Sequence, residues 1–147
     1  MNAGDTGRKK DWRLLIVGED RNLATRLLKV LEPMDCELAF AFTAKGAHQA
    51  LPKFQADAVM LTDRLSDEVM EMIESLRQAF PQIVIIAMAA LADSKDAIRT
   101  MEAGANYYLP RPANLAQLEP FLKQCFKRLA VERERDRLEE ELLQAEE

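Results

Sequence analysis

Four residues, Ala58, Val59, Met60 and Leu61, are apolar without interruption, and the chain turns abruptly polar at Thr62, Asp63 and Arg64. A half-buried strand alternates polar and apolar residues. A short run with no alternation reads as a strand buried on both faces. The residues at its carboxyl end then sit at the mouth of a sheet, where open α/β folds place their ligand chemistry. What the protein does chemically therefore turns on Thr62 and Asp63.

The length of 147 residues suits one domain with a full-sized core, and 48% hydrophobic with 31% charged residues is the balance of a soluble globular chain. No apolar run approaches the roughly 20 residues that span a bilayer. The start, MNAGDTGRKKDW, carries basic residues but no apolar segment of signal-peptide length, so a cytoplasmic protein without membrane partners is expected. Cys36 and Cys125 lie in unrelated segments without CxxC spacing and read as reduced structural thiols. His48 is the only histidine, which excludes a histidine-based metal cluster. The net charge of −5 is carried entirely by residues 132–147, which hold eight acids and three arginines. The rest of the chain balances to zero, and no basic stripe marks a nucleic-acid footprint.

Along the chain, residues 1–11 read as a polar arm. Residues 12–17 contain LLIV, a second doubly buried strand, which ends in Gly18, Glu19 and Asp20. Leu23, Leu27, Leu28 and Leu31 follow at helical spacing, stopped by Pro33. Residues 37–42 form a third strand. Thr43 is an N-cap for a helix facing inward through Ala47, Ala50, Leu51 and Phe54, with Pro52 inside its pattern. After residues 56–67, Val69, Met72, Ile73, Leu76 and Phe80 predict a helix ending before Pro81. Residues 83–88 are the next strand. Asp93 or Ser94 caps a helix that Gly104 closes, and residues 107–109 are a last short strand before Pro110, Arg111 and Pro112. Asn114 with Gln117 looks like a capping box for a helix running to the chain end. This βα alternation implies a parallel sheet covered on both faces, with right-handed crossovers.

With LLIVGED, ADAVMLTDRLSD and AGANYYLPRP at their respective distances, residues 13–130 resemble the receiver domain of two-component response regulators. The resemblance implies a flavodoxin-like, CheY-like doubly wound five-stranded sheet of order 2-1-3-4-5, here with an extended C-terminal helix. It also implies a site: receivers accept a phosphoryl group on an aspartate at the end of the third strand. That position is Thr62, a neutral and poor nucleophile with no activating base in the motif. The two acids that help hold Mg²⁺ fall at Gly18 and Glu19, leaving Glu19 with Asp20 or Asp63 as oxygen donors; Mg²⁺ binding is expected to be weak or absent, and no other cofactor is expected. The phosphoryl-binding hydroxyl falls at Ala89, the lysine at Arg111, and the switch aromatic at Tyr108. The chain is read as a degenerate, non-enzymatic receiver. Asp63 is expected to pair with Arg111 or lie in solvent, and Glu19 and Asp20 to accept from the first helix's amides.

The tail carries a second signal. Val131, Leu138, Leu142 and Ala145 fit the a and d positions of one heptad register, together with Phe121, while Gln124, Arg128 and Arg135 interrupt that seam. Leu122, Cys125 and Leu129 belong to another register, suited to packing on the domain. The expected organisation is an arm over 1–11, a receiver-like domain over 12–131 and a helical extension over 132–147, leading to an effector domain or partner protein beyond Glu147. The expected function is phosphorylation-independent signalling by a homodimer, paired through the extension and the face around Tyr108. Two alternatives stand beside it: a phosphoacceptor using Asp63, and a sensor of a small anion or metabolite at the strand ends.

Overall fold

The structure, a computed structural model, describes residues 10–89 and 94–146. The elements follow as β1 (Trp12–Val17), α1 (Arg21–Leu31), β2 (Cys36–Ala41), α2 (Ala44–Phe54), β3 (Ala58–Leu61), α3 (Asp67–Ala79), β4 (Val84–Ala89), α4 (Ser94–Ala103), β5 (Tyr107–Pro110) and α5 (Leu118–Glu146). The strands pair in parallel in the order β2-β1-β3-β4-β5. The expected flavodoxin-like topology is the one present. Most of the arm, the N-cap position Asp93 and the terminal Glu147 lie outside the described residues.

The three central strands owe their place to the unbroken apolar runs. Every residue of β3 and β4 is buried, as are the last four of β1. One face of the sheet presents Leu15, Val17, Val59, Leu61 and Ile85 to Leu51 of α2 and to Ile73 and Leu76 of α3. Alternation turns Leu14, Ile16, Met60 and Ile86, equally buried, to the other face. The crossover from β1 to β2 runs opposite to the later ones, so right-handedness puts α1 there, with Leu23, Leu27 and Leu31 buried.

Local signals set the boundaries. Asp20, Thr43 and Ser66 cap α1, α2 and α3, each side chain accepting from the amide three residues on. Pro52 does not end α2; it sits in the last turn, and the helix closes at Gln55 in the left-handed region, with φ 56°. Gly104, with φ 126°, is the C′ residue of α4. Its amide donates to Met101 O and that of Ala105 to Thr100 O, the paired bonds of a Schellman motif.

Arg77 locks that turn to the sheet. Its guanidinium donates to the carbonyls of Gly104, Pro81 and Ile83 and to Asn106 Oδ1, at 2.6–3.0 Å. Asn106 Oδ1 also accepts from the Ile85 amide at 2.8 Å. One side chain thus ties the end of α3 to the starts of β4 and β5.

The chain divides into two compact units, Met1–Leu115 and Ala116–Glu147. The region after Asn114 does not begin directly as an α-helix: Leu115–Gln117 is a 3-10 turn, and α5 starts at Leu118. Pro120 falls in the first turn of α5, where its missing amide costs little. Within α5, Leu118, Leu122, Cys125, Phe126 and Leu129 are buried, and every residue from Ala130 to Glu146 is exposed.

Candidate functional site at the carboxyl ends of the strands

Register brings the singled-out positions to one edge of the sheet. Val17 pairs with Leu61, so Gly18 and Thr62 follow side by side. The amide of Gly18 donates to Ala41 O and that of Thr62 to Val17 O, both at 3.0 Å. The Thr62 side chain is buried at 6% exposure, and its hydroxyl donates to the same Val17 carbonyl at 3.2 Å. A β-carbon added to Gly18 would stand 2.2 Å from Thr62 Oγ1 and 3.2 Å from Asp63 Oδ1. The hydroxyl therefore occupies the space a side chain at position 18 would need.

The acids are committed locally. Asp63 Oδ1 accepts from the Glu19 amide at 2.9 Å, which holds the β3 loop against the β1 loop. Asp20 Oδ1 accepts from the Leu23 amide at 3.0 Å as the N-cap of α1. The expectation that Asp20 serves the first helix agrees with this geometry. Glu19, expected to do the same, keeps an exposed side chain, and among the described residues it joins the cluster through its backbone amide alone.

Arg111 is placed by β5, where its amide donates to Ala89 O at 2.6 Å. Its guanidinium reaches toward the Thr62 carbonyl, with Nη2 at 3.5 Å, and not to Asp63. Asp63 was expected to pair with Arg111 or lie in solvent; it is half-buried and, among the described residues, accepts from the Glu19 amide instead. That amide comes prepositioned by the end of β1. Arg111 Nε is buried and has no hydrogen-bond partner among the described residues. Ala89 ends β4 as a buried methyl, at 3% exposure. Tyr108 lies half-buried in the edge strand, opposite Ala87.

Two contributors were not singled out from the sequence. The Val17 carbonyl accepts twice from Thr62, a backbone role that no residue type announces. Arg77 looks like any polar residue of an amphipathic helix, and burial lowers its pKa below the usual guanidinium value. Cys36 is buried, and its thiol pKa is pushed up to about 12, first by burial and then by the carboxylates of Asp57 and Asp35 against an opposing Lys10. Cys36 and Cys125 are both free and buried, in keeping with the reduced structural thiols expected. Val131, Leu138, Leu142 and Ala145 belong to the second unit and are exposed.

A doubly wound parallel sheet with acidic and basic residues gathered at its carboxyl edge defines a receiver-type α/β domain. The response regulator receiver domain family matches residues 14–123, and this chain belongs to that family. It is 35% identical over 107 residues to the transcriptional regulatory protein VxrB of Vibrio cholerae, covering 71% of this chain and 42% of VxrB. It is 30% identical over 106 residues to the photosynthetic apparatus regulatory protein RegA of Rhodobacter capsulatus, covering 71% and 57%. The chain thus spans about half the length of these relatives. In fold it is similar to a CheY-like receiver domain protein from Methanospirillum hungatei, with TM-score 0.73 and 23% identity over 82% of this chain and 98% of the other. HP1043, an orphan response regulator of H. pylori, superposes with TM-score 0.70 at 15% identity, covering 80% and 98%. Among the described residues, no helix is long and apolar enough to cross a membrane.

Proposed function

We propose that this receiver is a phosphorylation-independent signalling and assembly module of a two-component-type system, without an enzymatic step of its own. The observation that carries the reading is the Gly18–Thr62 pair. The position that would carry the phosphoacceptor holds a buried hydroxyl already donating to Val17 O, and the adjoining position has no room for a carboxylate. Ala89 offers no hydroxyl to a phosphoryl oxygen, and Arg111 supplies charge without the compact ammonium of a lysine.

The donor set does not fit Mg²⁺. The ion asks for near-octahedral oxygen ligation with carboxylates. Gly18 supplies none, Thr62 offers only a neutral hydroxyl, and Asp20 and Asp63 each spend one oxygen on a backbone amide, which leaves Glu19 as the one uncommitted carboxylate among the described residues of the cluster.

In this reading the receiver-like domain, residues 12–131, passes a conformational input to its helical extension, residues 132–147, and from there to an effector domain or partner protein in the cytoplasm. Two copies pair in parallel through Val131, Leu138, Leu142 and Ala145, with the face around Tyr108 as support. Self-pairing is weak, because the extension carries −5 per chain.

Incubation with acetyl phosphate and Mg²⁺ followed by intact-mass measurement is the test. No acid-labile phosphoryl adduct is expected. A stoichiometric adduct lost in Asp63→Asn would establish phosphorylation at Asp63 instead. The unpartnered Arg111 Nε favours one further reading, in which the strand ends bind a small anion. Phosphate or sulfate would then raise the melting temperature of the native chain and leave Arg111→Ala unchanged.

A further inference from the structure

Two apolar stripes run along α5. At 3.6 residues per turn, the buried residues Leu118, Leu122, Cys125, Phe126 and Leu129 lie on one side. Val131, Leu138, Leu142 and Ala145 fall on roughly the opposite side. The second stripe therefore does not continue the first. Val131 is 64% exposed, Leu138 46% and Leu142 66%. Arg128 and Arg135 complete its a positions.

The flanks of this seam are uniform. In the same register, every e position from residue 130 onward is glutamate, namely Glu132, Glu139 and Glu146. Every g position there is also glutamate, Glu134 and Glu141. Charges at e and g set partner choice and orientation in paired helices. Two copies in parallel set e against g, two antiparallel copies set e against e and g against g, and each case opposes glutamate to glutamate. A parallel self-pair also stacks Arg135 on Arg135. Arg137 binds Glu134 and Glu141 from behind the seam, as its neighbours along the same helix. One arginine between two glutamates leaves that flank negative, and exposed pairs of this kind are weak.

We infer that the α5 seam is a docking surface for a basic amphipathic helix of another protein, with lysine or arginine at its e and g positions and acids facing Arg128 and Arg135. The inference rests on the reading of α5 as the assembly surface and names its partner class. A second copy is the weaker competitor. The apolar seam holds the pair together, and the flanking charges decide with whom.

Two labelled synthetic helices test this on the full chain by fluorescence anisotropy. Both carry leucine along the seam and glutamate opposite Arg128 and Arg135; one has lysine at e and g, the other glutamate. The lysine helix is expected to bind at least about tenfold more tightly at 0.05 M salt, five flanking contacts each adding a modest factor. Its advantage shrinks at about 0.5 M salt, where charges are screened, while self-pairing of the chain strengthens. A Glu132→Lys, Glu139→Lys, Glu146→Lys variant, changed only at exposed positions, is expected to lose that preference. Leu138→Ser with Leu142→Ser is expected to abolish binding of both helices. Equal binding of the two helices overturns the inference, and so does undiminished binding to the serine variant, which would mean bare charge attraction. A chain that stays a tight dimer at low salt and excludes the lysine helix overturns it in favour of a second copy. The phosphoryl assay reads the strand ends and is blind to this helix, so the two readings can fail separately.

Discussion

Gly18 and Thr62 share one volume: a β-carbon at position 18 would stand 2.2 Å from the Thr62 hydroxyl. The hydroxyl is fixed there by its bond to Val17 O, and the strands that carry the two residues are fixed by their pairing. Each residue thus permits the other. Thr62 fills the place where a side chain at 18 would go, and the absence of that side chain lets a buried threonine stay hydrogen-bonded.

Gly18→Ala therefore forces the hydroxyl off the Val17 carbonyl or pushes β1 from β3. Overpacking of this kind costs about 1–3 kcal/mol. In a Thr62→Ala background the nearest remaining contacts are at 3.2 and 3.5 Å, and most of the penalty should disappear. Urea denaturation of the two single variants and the double variant measures the coupling. Equal penalties in both backgrounds would show that the hydroxyl is not what Gly18 accommodates.

Mg²⁺ is expected to leave the melting temperature unchanged within about 1 °C at low millimolar concentration, since a ligand stabilises only in proportion to its occupancy of the folded state. Differential scanning fluorimetry with and without the ion decides it. A clear rise that Glu19→Gln abolishes would mean that Glu19 anchors a metal after all.

Arg77→Ala takes this donor from the carbonyls of Gly104, Pro81 and Ile83 and leaves Asn106 Oδ1 with the Ile85 amide. A loss of roughly 2–3 kcal/mol is expected, the scale for stranding partly buried acceptors. Arg77→Lys should recover little of it, because an ammonium lacks the planar fork that reaches several acceptors together. Hydrogen exchange should quicken at Gly104 and Ala105, whose amides close the α4 turn. Unchanged exchange there would mean that the turn holds itself.

The fold was legible because its signals are local and repeated. Unbroken apolar runs gave the central strands, Thr43 caps α2 as expected, and Gly104 takes the positive φ its type suggests. The strand-end cluster was legible by position and less so by contact. Sequence places Asp63 and Arg111 at one edge, but which partner each takes depends on side-chain placement that residue type does not encode, and Asp63 took a backbone amide. The start of α5 was mispositioned for the same reason: a capping pattern at Asn114 says nothing of the 3-10 turn that precedes Leu118. Arg77 was invisible because four of its five bonds go to backbone carbonyls, which carry no residue signature.

Cys36 predicts how stability responds to alkali. Its thiol lies at 2% exposure at the start of β2, and its pKa rises from 9.0 in an ordinary environment to about 12 in the fold. Below pH 9 the thiol is protonated in both states and adds no pH dependence. Between pH 9 and about 12 the unfolded chain releases this proton while the folded chain retains it. The unfolded state then gains, so stability falls as pH rises, by up to about 1.4 kcal/mol per pH unit from this group. The comparison is with Cys36→Ala, which lacks the thiol. The variant is expected to be less stable at pH 8, where it has only lost packing, and to decline less steeply between pH 9 and 10.5. The same burial should leave Cys36 unreactive to iodoacetamide in the folded chain at pH 8 and reactive once urea unfolds it. Parallel stability curves for the two proteins, or rapid alkylation of Cys36 in the native state, would mean that the thiol meets water.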